Sequence, residues 1–339
     1  MAMAVIDLAP GVTRGLAVPA ELAPVEAMLA DHLGAEAATV VHGFAGGILV
    51  AVAGCLTGER AGAVDRLPDG GGRIVLQKAH CIDLGCRLTQ VLAVAGAEPV
   101  EIGAVDGAAL HQLEQALGEG AAGALFVVGG GVGAGALLEL PSFLFAAHSR
   151  NVPVVVVAPE RADWTGLLDA GADLVVLDAT TAFGGPGAGI VAGRAALVRA
   201  ARLQRLGIGR LVQPTPGLLA ELASALAVDR AALVEDRRDR VAARLSGIAG
   251  IGVESGDDGL VLIVDAARAG FTARDLAAAL RHGEPAVLLD DRRSSTGRLV
   301  LDLSRPGEAL LEQALLAIGA CLEAGVAPAP WPRPDGQSG

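Results

Sequence analysis

Tyrosine is absent from this chain, and lysine occurs once, as Lys78. Basic side chains as a whole are few: 26 lysines and arginines stand against 38 aspartates and glutamates, for a formal net charge of −12. Proteins that bind nucleic acid use cationic side chains to neutralise phosphates. The charge balance therefore argues against a nucleic-acid partner.

Long apolar runs are also missing, although 52% of the residues are hydrophobic. None reaches the roughly 18 uninterrupted residues of a membrane-spanning helix. The first residues, MAMAVIDLAPG, have neither the basic region nor the apolar core of a signal peptide. We therefore expect a cytoplasmic protein without a membrane partner, whose apolar excess lies in a buried sheet and an oligomer interface. In that compartment free thiols are expected at Cys55, Cys81, Cys86 and Cys321.

Runs of valine, isoleucine and leucine alternate with helical segments between residues 38 and 206. The predicted strands are ATVVH, RIVLQ, EPVEI, ALFVV, VPVVVVA, DLVVL and GIVAG. Helices are predicted between them, over GGILVAVAGCL, CRLTQVLAVAG, DGAALHQLEQALG, PSFLFAAHSR and TGLLDAG. Continuous apolar strands separated by helices are typical of a mostly parallel sheet covered on both faces.

The pattern changes after the segment PTPG at 214–217. One long helix is predicted over 218–245, followed by strands LVLIVDA, AVLLDD and RLVLDL and by helices in TARDLAAALRHG and PGEALLEQALLAIGACLEAG. This order indicates a small α+β domain over 216–325 after a large domain over 1–215. The proline- and glycine-rich residues 326–339 are predicted to form a disordered tail.

Two glycine-rich segments are candidates for binding phosphate groups. The first runs from Gly129 to Gly135 and fits a dinucleotide-binding fingerprint, with Glu160 near the end of the next strand as a ribose-binding acid. A plain loop is the alternative, and Pro141 favours it because the helix then begins after the motif. The second runs from Gly43 to Gly47 and either binds an anion at a helix start or makes a tight turn with close packing.

Lys78, His80 and Cys81 follow the strand RIVLQ, at an end where parallel strands direct side chains into a ligand crevice. Lys78 is either such a contact or a solvated strand end. His80, Cys81 and Cys86 fit no familiar spacing of zinc ligands, so no metal site is predicted.

Taken in order, these segments resemble the fold-type-I pyridoxal-phosphate (PLP) enzymes of the group that contains bacterial selenocysteine synthase and D-glucosaminate-6-phosphate ammonia-lyase. The resemblance covers about residues 29–325 and rests on LGAEAATVVHGFAGGILVAVAGCLTG, IVLQKAHCIDLG, GAEPVEIG, RNVPVVVVAPERADWTGLLDAGADLVV, FGGPGAGIVAGR, LQRLGIGR and FTARDLAAALRHGEPAVLLDD. It implies a seven-stranded large domain, a smaller C-terminal α+β domain, and an oligomer whose sites form at subunit interfaces.

The resemblance also assigns roles to residues of this chain. In the family, the loop that matches residues 43–47 holds the cofactor phosphate, and the residue that matches His80 lies against the pyridine ring. The positions expected to contact a cofactor or other phosphorylated ligand are Gly43, Phe44, Ala45, Gly46, Gly47, His80, Val157, Thr180 and Arg210.

Two departures from the family pattern bear on the chemistry. Val157 stands where the family has an aspartate that pairs with the pyridine nitrogen, and Thr181 stands where it has the Schiff-base lysine. A threonine cannot form a Schiff base, and without the carboxylate the ring loses most of its power as an electron sink. A third departure lies after Arg210, where the family often has a basic residue and this chain has LVQP.

The residues and the resemblance are consistent with three hypotheses about function. In the first, the chain has lost PLP catalysis and is the non-catalytic partner of an active paralogue. In the second, it is an enzyme with altered chemistry, which uses Lys78 as a Schiff-base residue or acts without a covalent bond through Asp178, Thr180, Thr181, Cys81 or His80. In the third, it binds a nucleotide through residues 129–135. The −12 charge argues against the tRNA partner that selenocysteine synthase would suggest.

Overall fold

The computed structural model describes residues 19–129, 135–159, 163–256, 259–303, 308–324 and 326. Contacts within the chain separate a large unit, which ends at Ala227, from a small unit, which begins at Val228. Glu160 and the predicted tail beyond residue 326 lie outside the described residues, as does most of the glycine-rich segment 129–135.

The large unit alternates strands and helices along most of its length. Its elements are α1 Leu22–Leu33, β1 Ala37–His42, α2 Phe44–Thr57, α3 Ala61–Val64, β2 Arg73–Gln77, α4 Leu88–Val94, β3 Glu98–Ile102, α5 Leu110–Gly118, β4 Ala121–Val127, α6 Leu140–His148, β5 Val154–Ala158, α7 Trp164–Asp169, β6 Leu174–Asp178, α8 Ala179–Phe183, β7 Ala188–Gly193, α9 Ala195–Leu203 and α10 Pro216–Leu226. Short 3₁₀ turns cover Lys78–His80, Gln204–Leu206 and Ile208–Val212.

These strands form one seven-stranded sheet in the order β1-β7-β6-β5-β4-β2-β3. Only β7 runs antiparallel to its neighbours β1 and β6, so the other six strands share one direction. Apolar clusters cover both faces of the sheet, which explains why the central strands are continuous runs of valine and leucine. The predicted α/β fold with a mostly parallel seven-stranded sheet is confirmed.

The small unit contains α11 Arg230–Leu245, β8 Ile251–Gly256, β9 Gly259–Val264, α12 Ala266–Ala269, α13 Ala273–Arg281, β10 Arg298–Asp302 and α14 Glu308–Ala324, with a 3₁₀ turn over Ser294–Thr296. Its three strands form an antiparallel sheet in the order β10-β9-β8. An apolar cluster between this sheet and helices α11, α13 and α14 forms the core of the unit.

The structure differs from the sequence prediction at three places near and within the small unit. The helix predicted over 218–245 is two helices, because Asp229 caps α11 by accepting a hydrogen bond from the N–H of Ala232. The division between the units falls after Ala227 rather than after residue 215, since α10 buries leucines in the core of the large unit. The predicted strand AVLLDD is not a strand: the N–H of Val287 bonds to the last turn of α13.

None of the described helices combines the length and the apolar character needed to cross a membrane.

Candidate functional site

The predicted site residues gather at one edge of the large sheet. Strands β1, β2, β5 and β6 all run in the same direction, so their carboxyl ends meet at this edge. The segment 43–47 follows β1, Lys78 and His80 follow β2, and Val157 is near the end of β5. Asp178 ends β6, and Thr180 and Thr181 lie in α8 directly after it. Ligand sites of open parallel sheets lie at this edge.

Helix α2 begins with backbone donors that no side chain caps. Gly43, just before the helix, has φ +74°, a conformation that glycine adopts without strain, and its N–H donates to the carbonyl of Gly187 at 2.9 Å. The first hydrogen bond of the helix is from Gly47 N–H to Gly43 O. The N–H groups of Phe44, Ala45 and Gly46 have no hydrogen-bond partner within the described part of the chain, so the start of this 14-residue helix can bind an anion.

Close packing also accounts for the glycines in this segment. A Cβ on Gly47 would lie 2.9 Å from Cγ1 of Val176 in β6, and one on Gly46 would lie 3.0 Å from the side chain of Val212. A Cβ on Gly189 in β7 would meet the carbonyl oxygen of Gly43 at 2.4 Å. Both interpretations of the glycine-rich segment, anion binding and tight packing, therefore have structural support at the start of α2.

Arg210 lies in the 3₁₀ turn Ile208–Val212, whose Val212 packs against Gly46 of α2. It is half-buried, and within the described ranges its guanidinium has no carboxylate partner. This turn therefore brings an uncompensated positive charge to the neighbourhood of α2.

His80 is buried, with 1% of its surface exposed. The N–H of Val127 donates to its Nδ1 at 3.2 Å, and its ring packs edge-on to Phe126 with centroids 4.5 Å apart. On the other side, Nε2 of Gln77 lies 3.4 Å from Nε2 of the histidine. Burial lowers the pKa of His80 to about 4. The side chain of His80 is therefore neutral and enclosed, and it contacts two residues of β4.

The orientation of Gln77 is fixed by a backbone group far along the chain. Its side-chain Oε1 accepts from the N–H of Leu138 at 2.8 Å, and its Nε2 donates to the carbonyl of the same residue at 3.1 Å. The sequence did not predict a role for Gln77, because its partner is a backbone group 61 residues away and no motif links the two.

Lys78 is directed toward the β3 side of the sheet. Its Nζ lies 3.7 Å from a carboxylate oxygen of Glu101 in β3, and 52% of its side chain is exposed. Lys78 follows β2 and Thr181 follows β6, and strands β4 and β5 lie between them. At ~4.8 Å between neighbouring strands, β2 and β6 are about 14 Å apart. Cys81 lies beside the same Glu101, and burial together with this carboxylate raises the pKa of its thiol to about 11.

Potential metal ligands do not gather in threes anywhere in the described part of the chain.

Val157 is fully enclosed, with 0% of its surface exposed. It pairs with Val127 on β4 and with Val176 on β6, in the middle of the apolar cluster on one face of the sheet.

The turn after β6 is held by hydrogen bonds within itself and to β5. Asp178 caps α8: its carboxylate accepts from the N–H of Thr180 at 3.0 Å and from the hydroxyl of Thr180 at 2.7 Å. The hydroxyl of Thr181 lies 3.0 Å from the carbonyl of Asp178 and 3.2 Å from the carbonyl of Pro159, which follows β5. Its single proton is thus shared between the ends of two neighbouring strands. The contact with Pro159 spans 22 residues and has no signal in the sequence.

Replacing Thr181 by valine should lower the free energy of unfolding by about 0.5–1.5 kcal/mol, because a carbonyl at the sheet edge loses its donor while the shape is kept. Urea unfolding would measure this. Ser224→Ala is the control, since that hydroxyl bonds only to the carbonyl one turn earlier on an exposed helix face. Equal stability of Thr181→Val and the wild type would show that the hydroxyl does not join the strands.

The start of helix α6 bears on the dinucleotide hypothesis and lies within the described residues. Helix α6 begins at Leu140, with Pro141 in its first turn. A fingerprint requires the helix to start inside the glycine motif, so that the pyrophosphate meets the helix N-terminus. The late start of α6 disfavours this hypothesis, while residues 130–134 and Glu160 lie outside the described residues.

Comparison with known proteins places this architecture in a family. The chain is 33% identical over 308 residues to a 5′-C-glycyluridine monooxygenase-decarboxylase from a Streptomyces species, covering 83% of this chain and 76% of that protein. It is 28% identical over 304 residues to the D-glucosaminate-6-phosphate ammonia-lyase of Salmonella typhimurium, covering 82% of each. No protein-family model matches.

A solved structure of D-glucosaminate-6-phosphate ammonia-lyase superimposes with a TM-score of 0.75 at 25% identity, over 92% of this chain and 89% of the other. The chain belongs to the family of fold-type-I PLP enzymes that includes this lyase. The pyridoxal-5′-phosphate-dependent protein YhfS from Escherichia coli shares the fold, with a TM-score of 0.55 at 19% identity over 91% of this chain and 88% of that one. PLP is thus a cofactor found on this fold.

Proposed function

We propose that this chain is a non-catalytic member of its family, which acts as the partner subunit of a paralogue that keeps the Schiff-base lysine. The observation that carries the proposal is the bonding of Thr181. At the position where the family resemblance puts the lysine, the side chain has no amine, and its hydroxyl is bound to the carbonyls of Asp178 and Pro159. A group that closes the sheet edge is not available for covalent catalysis.

The surroundings of Val157 support the same conclusion. A carboxylate at this position would keep a pyridine nitrogen protonated and so make the ring an electron sink. Valine supplies neither charge nor hydrogen bond, and its neighbours Val127 and Val176 offer none in its place. The residues that surround this position therefore do not fit a catalytically active PLP.

The turn and loop around Thr181 are nevertheless closely packed. Gly184 ends α8 in the left-handed conformation at φ +62°, and the N–H of Gly185 bonds to the carbonyl of Ala179 at 3.1 Å. A Cβ on Gly185 would also contact Ala225 and Leu222 of α10. A fold that keeps this packing without the reactive lysine supports a role in assembly with another subunit.

Exposed apolar side chains on the large unit are suited to such assembly. Phe145 is 77% exposed and Leu211, next to Arg210, is 80% exposed. Covering large exposed apolar side chains with another protein surface removes them from water, which favours association of the two subunits.

Co-expression tests the proposal. A tagged paralogue that has lysine at the position of Thr181 should retain this chain through affinity and size-exclusion steps as a mixed oligomer of fixed stoichiometry. The same paralogue with its lysine changed to alanine should retain it equally, because assembly does not need the Schiff base. Isolation of this chain as a stable homo-oligomer that turns over a substrate without any partner would refute the proposal.

A second candidate is an enzyme that holds a phosphorylated ligand without a covalent bond. The uncapped start of α2 favours it, as does the guanidinium of Arg210, which has no carboxylate partner among the residues that the structure describes. The names of the two relatives suggest a small substrate that is phosphorylated or amino-acid-like, since one acts on D-glucosaminate 6-phosphate and the other on 5′-C-glycyluridine.

Pyridoxine 5′-phosphate, which has no aldehyde, distinguishes these candidates in a fluorescence titration. The second candidate predicts saturable binding that weakens at least about tenfold in Arg210→Gln, since a charged hydrogen bond is lost. The partner-subunit proposal predicts no saturable binding to the isolated chain.

A further inference from the structure

A cavity of about 420 Å³ opens in the small unit between α13 and the 3₁₀ turn that precedes β10. Helix α13 contributes Arg274, Ala278 and Arg281 to its wall, which share one helix face because they are four and three residues apart. The small side chain of Ala278 leaves space between the two arginines. The opposite wall includes Asp291, Arg292, Ser294 and Ser295.

The charged groups on this wall are partly neutralised and partly free. Nη2 of Arg281 lies 2.6 Å from Asp291, and Nη2 of Arg292 lies 2.7 Å from Asp290. These ion pairs hold two guanidinium groups in place. Arg274 has no carboxylate partner within the described ranges, so its positive charge is uncompensated in a chain whose net charge is −12.

The hydrogen-bonding character of the wall is dominated by donors. Besides the guanidinium groups, it presents the hydroxyls of Ser294 and Ser295, which make no side-chain hydrogen bond within the described part of the chain. Phosphate oxygens accept hydrogen bonds and carry negative charge, and arginine binds them in a planar, two-pronged geometry. A volume of about 420 Å³ also falls in the range of small-molecule sites and leaves room for an organic group beside a phosphate.

We propose that this cavity binds a small phosphate monoester, whose phosphate contacts Arg274 and the hydroxyls of Ser294 and Ser295. The site lies wholly in the small unit and uses none of the residues that the family resemblance assigns to the cofactor. It is therefore a binding site in addition to the edge of the large sheet, and it does not depend on the proposed partner-subunit function.

Isothermal titration calorimetry of the full-length chain with glycerol 3-phosphate tests this site. Saturable binding is expected, and Arg274→Gln should weaken it at least about tenfold because a charge-assisted contact is lost. Arg268→Gln is the matched control: this arginine is also exposed and unpaired within the described residues, but it lies on α12 and does not line the cavity. Its affinity should equal that of the wild type.

The exposed position of Arg274 means that its replacement should not affect folding, which equal unfolding midpoints for the two variants would verify. Three results would overturn the proposal. They are no saturable binding to the wild type, equal affinities of Arg274→Gln and Arg268→Gln, or tighter binding of succinate than of glycerol 3-phosphate.

Discussion

The Thr181→Lys variant should form an adduct with PLP at residue 181 that borohydride makes permanent, whereas the wild-type chain should form none there. The position lies in the first turn of α8, directly after β6, at the sheet edge where β1 leads into the uncapped start of α2. In the wild-type chain this start binds a phosphate too weakly to saturate, whereas an amine at residue 181 adds a reversible covalent bond to the aldehyde of the same molecule. Peptide mapping after reduction should find close to one label per variant chain, since only a positioned amine accumulates the covalent product.

Thr181→Arg is the control for this gain of function. It introduces the same charge and a side chain of similar length, but a guanidinium does not form a Schiff base, so residue 181 should stay unlabelled. Both variants lose the hydroxyl contacts to Asp178 and Pro159, and their effects on folding should therefore be similar. If Thr181→Lys folds and remains unlabelled, then position 181 does not correspond to the family lysine, or the phosphate site at α2 has been lost.

Replacing Val157 by aspartate should destabilise the large unit by about 3–5 kcal/mol at neutral pH, because the new carboxylate has no partner in an apolar environment. The side chain is 0% exposed between Val127 and Val176. Val157→Thr is the control, with an uncharged polar group of the same shape and an expected cost of about 1–3 kcal/mol. Urea unfolding of both variants would measure the difference.

The pH dependence of the Val157→Asp variant gives a second check. Burial raises the pKa of a carboxyl group, so in the folded state this aspartate would hold its proton to higher pH than in the unfolded chain, where the pKa is about 3.9. The folded state then binds more protons, and stability falls as pH rises from the unfolded pKa through the folded pKa. A variant as stable as Val157→Thr at pH 8 would mean that the position can still accommodate a charge, as an intact cofactor pocket would.

The large sheet could be predicted because most of its strands are continuous apolar runs in the sequence. Runs such as VPVVVVA are buried on both faces, and the strands between helices can adopt only a few topologies. The small unit was harder, since β8 has the sequence IGVESG and is half-exposed, with no apolar run to mark it. The segment AVLLDD has such a run, but the N–H of its Val287 donates to the carbonyl of Leu280 in the last turn of α13. Within this segment only Asp290 forms a β-bridge, to Val300 of β10.

The sequence predicts which residues lie at the sheet edge. It does not predict the hydrogen bonds that their side chains make. The location of Asp178 and Thr181 after β6 follows from the strand pattern alone. The bonding of Thr181 to Pro159, and of His80 to the N–H of Val127, depends on groups 22 and 47 residues away in the chain. Only the folded structure shows that these side chains are already used by the protein itself.

Borohydride reduction of the wild-type chain with PLP tests the loss of Schiff-base chemistry most directly, because Lys78 is the only lysine that can react. We expect peptide mapping to find Lys78 labelled no more than in the same chain unfolded in urea, since its amine pairs with Glu101 on the far side of β2 from β6. Saturable labelling of Lys78 at close to one group per folded chain would contradict the account, because a positioned lysine would then be performing the covalent step.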